Sequence, residues 1–364
     1  MIQNIHPFLI RHKFIVVLLM FAVVGILVSC FYIGYRPNLK KDALEYFEAA
    51  RFLQGTPVND QIQLGRVISA PLFLYTSIFI NYFVNDFSTS FAVLNVLFYF
   101  VCIVAFYFLA LEIYKEKKIA FLSTVLVVFN YYMIDPSNAH LADMSSWFFY
   151  TLATFLAVRY VNTFNKKFYY LSILFTAIGV LFKEYGGLAL LNLSLLVCVS
   201  NMSWKQKLKD ILIAGVLVLA PLLSFHAFIY LKYHYLYFER FVKVAVDSVV
   251  PGFEQKGLKL LIKVLGWLFS FGWLAFCFGL KKEFEARDKN RIKILAAILP
   301  ATLTFYIWPA IDQRLAVLFM MWLALIAGFG LSKVKWYWLY AFLVVYILFN
   351  FNIKYLLDII NLPF

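Results

Sequence analysis

Two acidic residues with the spacing needed for acid–base chemistry, Asp42 and Glu45, stand in the segment DALEYFEAARFL at residues 42–53. The segment has high helical propensity and is followed by Gly55, a typical C-terminal stop, so we predict a short helix at the membrane surface. A spacing of three residues puts both carboxylates on one helical face, where either could accept a proton from a hydroxyl group. The alternative is an ordinary solvated face that is neutralised by the flanking basic residues.

A further acid, Asp143, precedes an apolar run that begins near Ser145, and His140 stands three residues before it. Asp143 could simply cap the helix that follows, because a carboxylate there can accept bonds from free backbone amides. A His and Asp pair could also bind a metal ion. A divalent metal is therefore a possible cofactor, with Asp42, Asp143 and His140 as its only candidate ligands.

Two basic residues, Lys183 and Arg314, lie where apolar runs begin or end. Lys183 and Glu184 form so short a connection that both must lie near the lipid boundary, where the lysine could bind a phosphate as a point charge. The guanidinium of Arg314 could bind a phosphate or carboxylate through two parallel hydrogen bonds. The alternatives are a Lys183–Glu184 pair that closes a helical hairpin and an interfacial Arg314 paired with Asp312.

The elements that position these residues must lie in a bilayer. The 364 residues are 64% hydrophobic and only 14% charged, whereas soluble globular proteins are about half apolar and about a quarter charged. The apolar runs extend over about twenty residues without the alternation of a β-barrel. We therefore predict an all-α fold, a polytopic helical membrane protein with about eleven transmembrane helices.

The net charge of +14 is explained by membrane topology. Lysines and arginines cluster in the short connections at 115–118, 159–167, 205–209 and 281–293, as the positive-inside rule requires of inner loops. This assignment needs the short run at 71–84 to be interfacial or re-entrant. The segments that it places together on the outer side are 36–89, 135–144, 183–184, 232–257 and 309–313.

The rest of the sequence contains few motifs that would indicate another function. It contains neither GxGxxG nor GxxxxGK[ST], the loops that bind nucleotide phosphates, and nothing in it points to nucleic acid as a partner. The four cysteines have no metal-like spacing. We predict a single membrane domain over 1–364, with 36–89 as a first outer loop that carries juxtamembrane helices, and no soluble C-terminal domain.

The order of these features resembles the GT-C membrane glycosyltransferases, and most closely the branch of protein O-mannosyltransferases and lipid A aminoarabinose transferases. The resemblance is carried by an outer loop with DALEYFEAARFLQGTP, the Pro-led GRVISAPLFLYTSIF, an Asp at the mouth of a later span, FKEYGG, and DQRLAVLFMMWLALIAGFGL. Asp42 with Tyr46 matches the D-x-x-x-Y setting of the family's essential Asp. Asp143 and Lys183 correspond by position to its second acidic residue and its later Lys.

Two other family motifs match less completely. Arg314 falls on the Arg of a late R-Y-x-x-x-x-P-like segment, but Leu315 replaces the Tyr and the Pro is absent. The Pro-rich R-x-P-P-L loop is reduced to Arg66 and Pro71–Leu72.

The resemblance implies transfer of a sugar from a polyprenyl phosphate donor to a hydroxyl acceptor on a glycan, a lipid or a protein, with inversion. Asp42 is then the general base, and Lys183 and Arg314 stabilise the phosphate. The residues predicted to be catalytic are Asp42 and Asp143. The residues predicted to bind substrate are Glu45, Tyr46, Arg66, His140, Lys183, Glu184 and Arg314.

The location expected for such a protein is a bacterial inner membrane, with membrane lipid around it and the active site facing the periplasm. The alternative function is a transporter or flippase for a lipid-linked or small anionic substrate, and a third is a purely structural membrane subunit. Transporters often show paired repeats and broken midplane helices, and no such repeat is evident in the sequence. Acidic and basic side chains that meet at the outer boundary would favour the enzyme.

Overall fold

The computed structural model describes residues 13–31, 41–56, 61–137, 141–236, 258–306, 314 and 316–359. Those residues form helices and turns and no strand, as the all-α prediction requires. The α-helices, in chain order, are α1 Lys13–Phe31, α2 Lys41–Leu53, α3 Gln61–Ser69, α4 Pro71–Val84, α5 Phe87–Tyr114, α6 Lys117–Val128, α7 Tyr131–Ser137, α8 Asp143–Thr163, α9 Lys166–Phe182, α10 Leu188–Val199, α11 Trp204–Tyr233, α12 Leu258–Phe269, α13 Gly272–Ala286, α14 Lys289–Thr302, α15 Val317–Ser332 and α16 Trp336–Ile359. Two short 3₁₀ helices occupy Glu184–Gly187 and Thr304–Tyr306.

The membrane character of the chain is evident in its longest helices. Among the described residues, α1, α5, α11 and the first part of α16 are each long and apolar enough to cross a bilayer. Helices α3 and α4 together form a bent pair with an angle of 100°. Large apolar side chains on α1, α11 and α16 are exposed, as expected of helices that face lipid. The total of about eleven crossings remains a prediction.

The centre of the bundle is formed by α5, α6, α8, α9, α13 and α15, and α15 is buried along nearly its whole length. Close approach of α13 and α15 depends on glycine. A Cβ at Gly279 would lie 2.1 Å from the carbonyl oxygen of Ile326. Small residues at such crossings let helix backbones approach in lipid, where apolar burial supplies little driving force between helices.

Two apolar runs long enough to be taken for single spans, 119–134 and 258–280, are each broken into two helices. In the first, α6 ends at Val128, and the Asn130 side chain accepts a hydrogen bond from the backbone of Tyr132 at the start of α7. In the second, Ser270 adopts a left-handed backbone with φ 43° between α12 and α13. The first break contains neither Pro nor Gly, the residues that usually mark one, whereas Gly272 begins α13 directly after the second, where a Cβ would lie 2.7 Å from the Phe269 ring.

The helix predicted for DALEYFEAARFL is present as α2, and its place at the membrane surface stays a prediction. Asp42 lies in its first turn, where a negative charge is favourable next to the positive end of the helix dipole. The chain leaves the helix through Gly55, whose φ of +101° suits glycine. Helix α3 follows, and Pro71 at the first position of α4 starts the next helix at a sharp bend. Helices α2 and α3 therefore lie against each other, and their facing side chains can meet.

Candidate active site

The face of α2 that carries the predicted acids is held by one arginine from α3. Arg66 donates from Nε to Glu45 at 2.7 Å and from Nη2 to Asp42 Oδ1 at 2.7 Å. Its guanidinium also lies over the ring of Tyr46, with 4.7 Å between Cζ and the ring centroid. The side chains of Arg66 and Glu45 are largely buried, whereas that of Asp42 is 39% exposed. Asp42 is therefore fixed on one side and open on the other.

Asp143 lies in the interior at the start of α8. Its exposure is 0%, and its Oδ1 accepts a hydrogen bond of 2.6 Å from Lys183 Nζ. The capping role that we considered for Asp143 is wrong, because Ala142 is the N-cap and no side chain caps the helix. The Asp143 carboxylate is instead turned toward the lysine, since a buried carboxylate needs a partner of opposite charge.

Lys183 reaches Asp143 because of the local fold of the FKEYGG segment. Helix α9 ends at Phe182, and Lys183 is extended with φ −173° and ψ 152°. The 3₁₀ turn that follows folds back, so that a Cβ on Gly186 would lie only 2.3 Å from the carbonyl carbon of Gly179. Any side chain at residue 186 would push the turn away from α9. Gly179 and Gly186 were not among the predicted site residues, although the GG pair at residues 186–187 was a visible signal.

Arg314 joins the two acidic centres. Its Nη2 lies 3.4 Å from Asp42 Oδ2, and its Nη1 lies 3.8 Å from Asp143 Oδ2. It stands three residues before the buried helix α15, which begins at Val317. Six side chains thus alternate in sign along a row, which we call the charge chain: Glu45, Arg66, Asp42, Arg314, Asp143 and Lys183.

The charges in this row control the protonation of Asp42. Burial by itself raises the pKa of the Asp42 carboxyl, but the positive charges of Arg66, Arg314 and Lys183 outweigh that effect and hold the pKa below its ordinary value. Asp42 is therefore ionised at neutral pH and can accept a proton or a hydrogen bond. Burial alone would lower the pKa of Arg66, but Tyr46, Asp42 and Glu45 raise it above the ordinary value.

The remaining predicted residues take peripheral places. Glu184 is half-buried at the start of the 3₁₀ turn, next to Lys183. Tyr185 packs against that lysine, with 5.5 Å between Lys183 Nζ and the ring centroid. His140 and Asp312 lie outside the described residues.

Of the three candidate metal ligands, Asp42 and Asp143 are described and His140 is not. Among the described residues, no three His, Cys, Asp or Glu side chains come together. Asp42 and Asp143 are separated by Arg314, which contacts both. A guanidinium in that position would repel a divalent cation held between the two carboxylates. These residues therefore do not fit a bridging metal, and no step of the reaction below passes through one.

Comparison with known families gives one match over more than half of the chain. Residues 44–242 match the family model described as dolichyl-phosphate-mannose-protein mannosyltransferase. A comparison with the curated proteins gives no significant match.

Solved structures of an archaeal oligosaccharyltransferase, AglB from Archaeoglobus fulgidus, have a similar fold. The complex with an inhibitory peptide and a dolichol-phosphate aligns over 95% of this chain at 13% identity and a TM-score of 0.60, and covers 55% of that protein. The form tethered to an acceptor peptide with the NVT sequon aligns over 94% of this chain, at 12% identity and a TM-score of 0.57, and the alignment covers 54% of that protein. The chain thus spans about half the length of the structures it matches. The family match and the structural similarity to AglB together confirm the GT-C resemblance.

Proposed function

The chain belongs to the dolichyl-phosphate-mannose-protein mannosyltransferase family, and from that premise we propose that it transfers a sugar from a polyprenyl phosphate to a hydroxyl acceptor. The observation that carries the proposal is the charge chain. It unites an exposed, ionised carboxylate with two cations, Lys183 and Arg314, at one end of the helical bundle. Such a reaction needs both a base for the acceptor and fixed positive charge for the leaving phosphate.

In the proposed reaction, Asp42 accepts the proton of the acceptor hydroxyl as its oxygen attacks the anomeric carbon. The bond between that carbon and the phosphate oxygen breaks on the opposite face, so the configuration inverts. Lys183 and Arg314 stabilise the negative charge that the phosphate retains. Asp42 is a better base than Asp143, because its side chain is 39% exposed whereas that of Asp143 is 0% exposed.

The substrates follow from the family. Its description names mannose, a dolichyl phosphate and a protein, and AglB is described with a dolichol-phosphate and with peptides. We therefore take polyprenyl phosphate mannose as the first donor to test, and a peptide with Ser and Thr as the first acceptor. We place the protein in a bacterial inner membrane, with the charge chain facing the periplasm.

The experiment is a transfer assay with the purified protein in vesicles, using polyprenyl phosphate mannose labelled in the sugar. We expect the label to appear on the peptide and free polyprenyl phosphate to accumulate in equal amount. Movement of intact donor across the bilayer without chemical transfer would instead support the flippase alternative. Mass spectrometry of lipids that copurify with the protein identifies the natural donor.

A further inference from the structure

Asp143 is fully buried and yet one of its two oxygens lacks a close partner. We infer that Asp143 is a positioning residue that draws Arg314 away from Asp42 when a donor phosphate binds, so that the acceptor hydroxyl can reach the base only after the donor is in place. This inference rests on the proposed function and adds an order of events to it.

The first observation is that the two oxygens of Asp42 are held differently. Oδ1 lies 2.7 Å from Arg66, which is also fixed by Glu45. Oδ2 lies 3.4 Å from Arg314, longer than the 2.7–2.9 Å that is typical of hydrogen bonds between a cation and a carboxylate. The Arg66 bond anchors the base, and the Arg314 contact is the one that can be released.

The second observation concerns Asp143. Its Oδ1 is bonded to Lys183 at 2.6 Å, but its Oδ2 accepts no hydrogen bond from the described residues and lies 3.8 Å from Arg314 Nη1. A buried carboxylate oxygen without a hydrogen bond is unfavourable, because the group has lost its water. A shift of Arg314 by about 1 Å would bring this contact to an ordinary hydrogen-bond distance.

Arg314 therefore lies between two carboxylates, 3.4 Å from Asp42 Oδ2 and 3.8 Å from Asp143 Oδ2, and the inference concerns two arrangements of its guanidinium. In the present one, it shields the exposed oxygen of Asp42. In the other, it bonds to Asp143 and leaves that oxygen accessible.

A donor phosphate would favour the second arrangement. A guanidinium has five N–H donors in a planar fork, so Arg314 can bind a phosphate and Asp143 together. Lys183 holds the other oxygen of Asp143 and so fixes the carboxylate that receives Arg314. The acceptor hydroxyl then donates its hydrogen bond to Asp42 Oδ2, the position that Arg314 has left.

The test is Asp143→Asn, which keeps an oxygen for Lys183 but removes the charge that attracts Arg314. We expect kcat with polyprenyl phosphate mannose to fall by about tenfold or more. We also expect the donor KM not to rise, because removing a negative charge beside a phosphate does not weaken its binding. An unchanged kcat, or a rise in donor KM that accompanies the loss, overturns the inference.

The matched control is Asp210→Asn. Asp210 is 2% exposed and pairs with Lys166 at 2.7 Å, so it is likewise a buried carboxylate paired with a lysine. Lys166 begins α9 and Lys183 follows its end, which places the two pairs about 25 Å apart along the helix. Asp210→Asn protein that folds should therefore retain the wild-type kcat. A loss equal to that of Asp143→Asn would mean that any broken buried pair impairs the enzyme, which also overturns the inference.

A structure of the wild-type protein with polyprenyl phosphate keeps the inference testable if Asp143→Asn fails to fold. We expect Arg314 within about 3 Å of Asp143 and beyond about 4 Å from Asp42. A phosphate bound to Lys183 and Arg314 while Arg314 still contacts Asp42 would overturn this inference alone. A phosphate bound away from both cations would contradict the proposed function itself.

Discussion

Lys183 and Asp143 form a buried ion pair with 2.6 Å between Nζ and Oδ1, although 40 residues separate them in the chain. Lys183 follows the end of α9 and Asp143 begins α8. The pair therefore joins the ends of two central helices at the candidate site.

The first prediction concerns the stability of this pair. We expect Lys183→Met to lower the free energy of unfolding by about 3–5 kcal/mol, because it leaves the Asp143 charge buried without its closest partner. The double variant Lys183→Met/Asp143→Leu should recover part of that loss, since neither charge remains. Chemical unfolding in detergent measures the free energy of unfolding of the single and the double variant.

The control for that experiment is Lys166→Met. Lys166 is 45% exposed, and its partner Asp210 keeps hydrogen bonds from Tyr160 and Gln206. Lys166→Met should therefore lower the free energy of unfolding by less than Lys183→Met does. A double variant that is less stable than Lys183→Met would contradict the account of the buried pair.

The second prediction concerns the turn that presents Lys183. We expect Gly186→Ala to reduce kcat/KM for the donor by between about tenfold and 100-fold, because the new Cβ would displace the turn from α9 and move the lysine. Gly215→Ala is the matched control, since a Cβ there meets nothing within 4 Å. Equal activities of the two variants would show that the turn does not position Lys183.

Part of the fold follows from sequence patterns, because those patterns act over a few residues. Helix α2 was predictable from the propensity of DALEYFEAARFL and from Gly55. The break near Asn130 was not, because it depends on a side-chain hydrogen bond that no Pro or Gly signals. The break at Ser270 had a visible signal in Gly272, which begins the next helix.

In the candidate site, too, some features were predictable from the sequence and others were not. Asp42, Asp143, Lys183 and Arg314 were each predicted from residue type and place in the chain. Their pairing could not be predicted, because Arg314 meets Asp42 across 272 residues through the packing of several helices. Arg66 was predicted to bind substrate, and the structure places it between two acids that it holds together.

The third prediction is a pH dependence. The pKa of the Asp42 carboxyl is lowered from its ordinary value, because the effect of burial is outweighed by the positive charges of Arg66, Arg314 and Lys183. The ionised base is therefore present at neutral pH and is lost only as the pH falls through the lowered pKa. The stability that its ion pairs contribute is lost over the same interval. Arg66→Gln removes a close cation and should move the acid limb of the kcat/KM profile to higher pH. An acid limb that stays in place in this variant would show that another group is titrating.

The fourth prediction concerns metal. Arg314 lies between the two carboxylates that were the candidate metal ligands, so we expect EDTA to leave the transfer rate unchanged. The measurement is the initial rate before and after treatment of the purified protein with chelator, with rates on added Mg²⁺ or Mn²⁺ alongside. Loss of activity with EDTA and recovery on addition of one metal would contradict this arrangement.

The fifth prediction tests the central claim, that Asp42 is the general base. The measurement is the turnover of Asp42→Asn in the vesicle assay, compared with Glu48→Gln. Glu48 lies on the same helix and is exposed, and its hydrogen bond is to Gln63, outside the charge chain. We expect Asp42→Asn to lose about 100-fold or more in turnover, while Glu48→Gln keeps the wild-type rate. Near-normal turnover of folded, membrane-inserted Asp42→Asn would contradict the account.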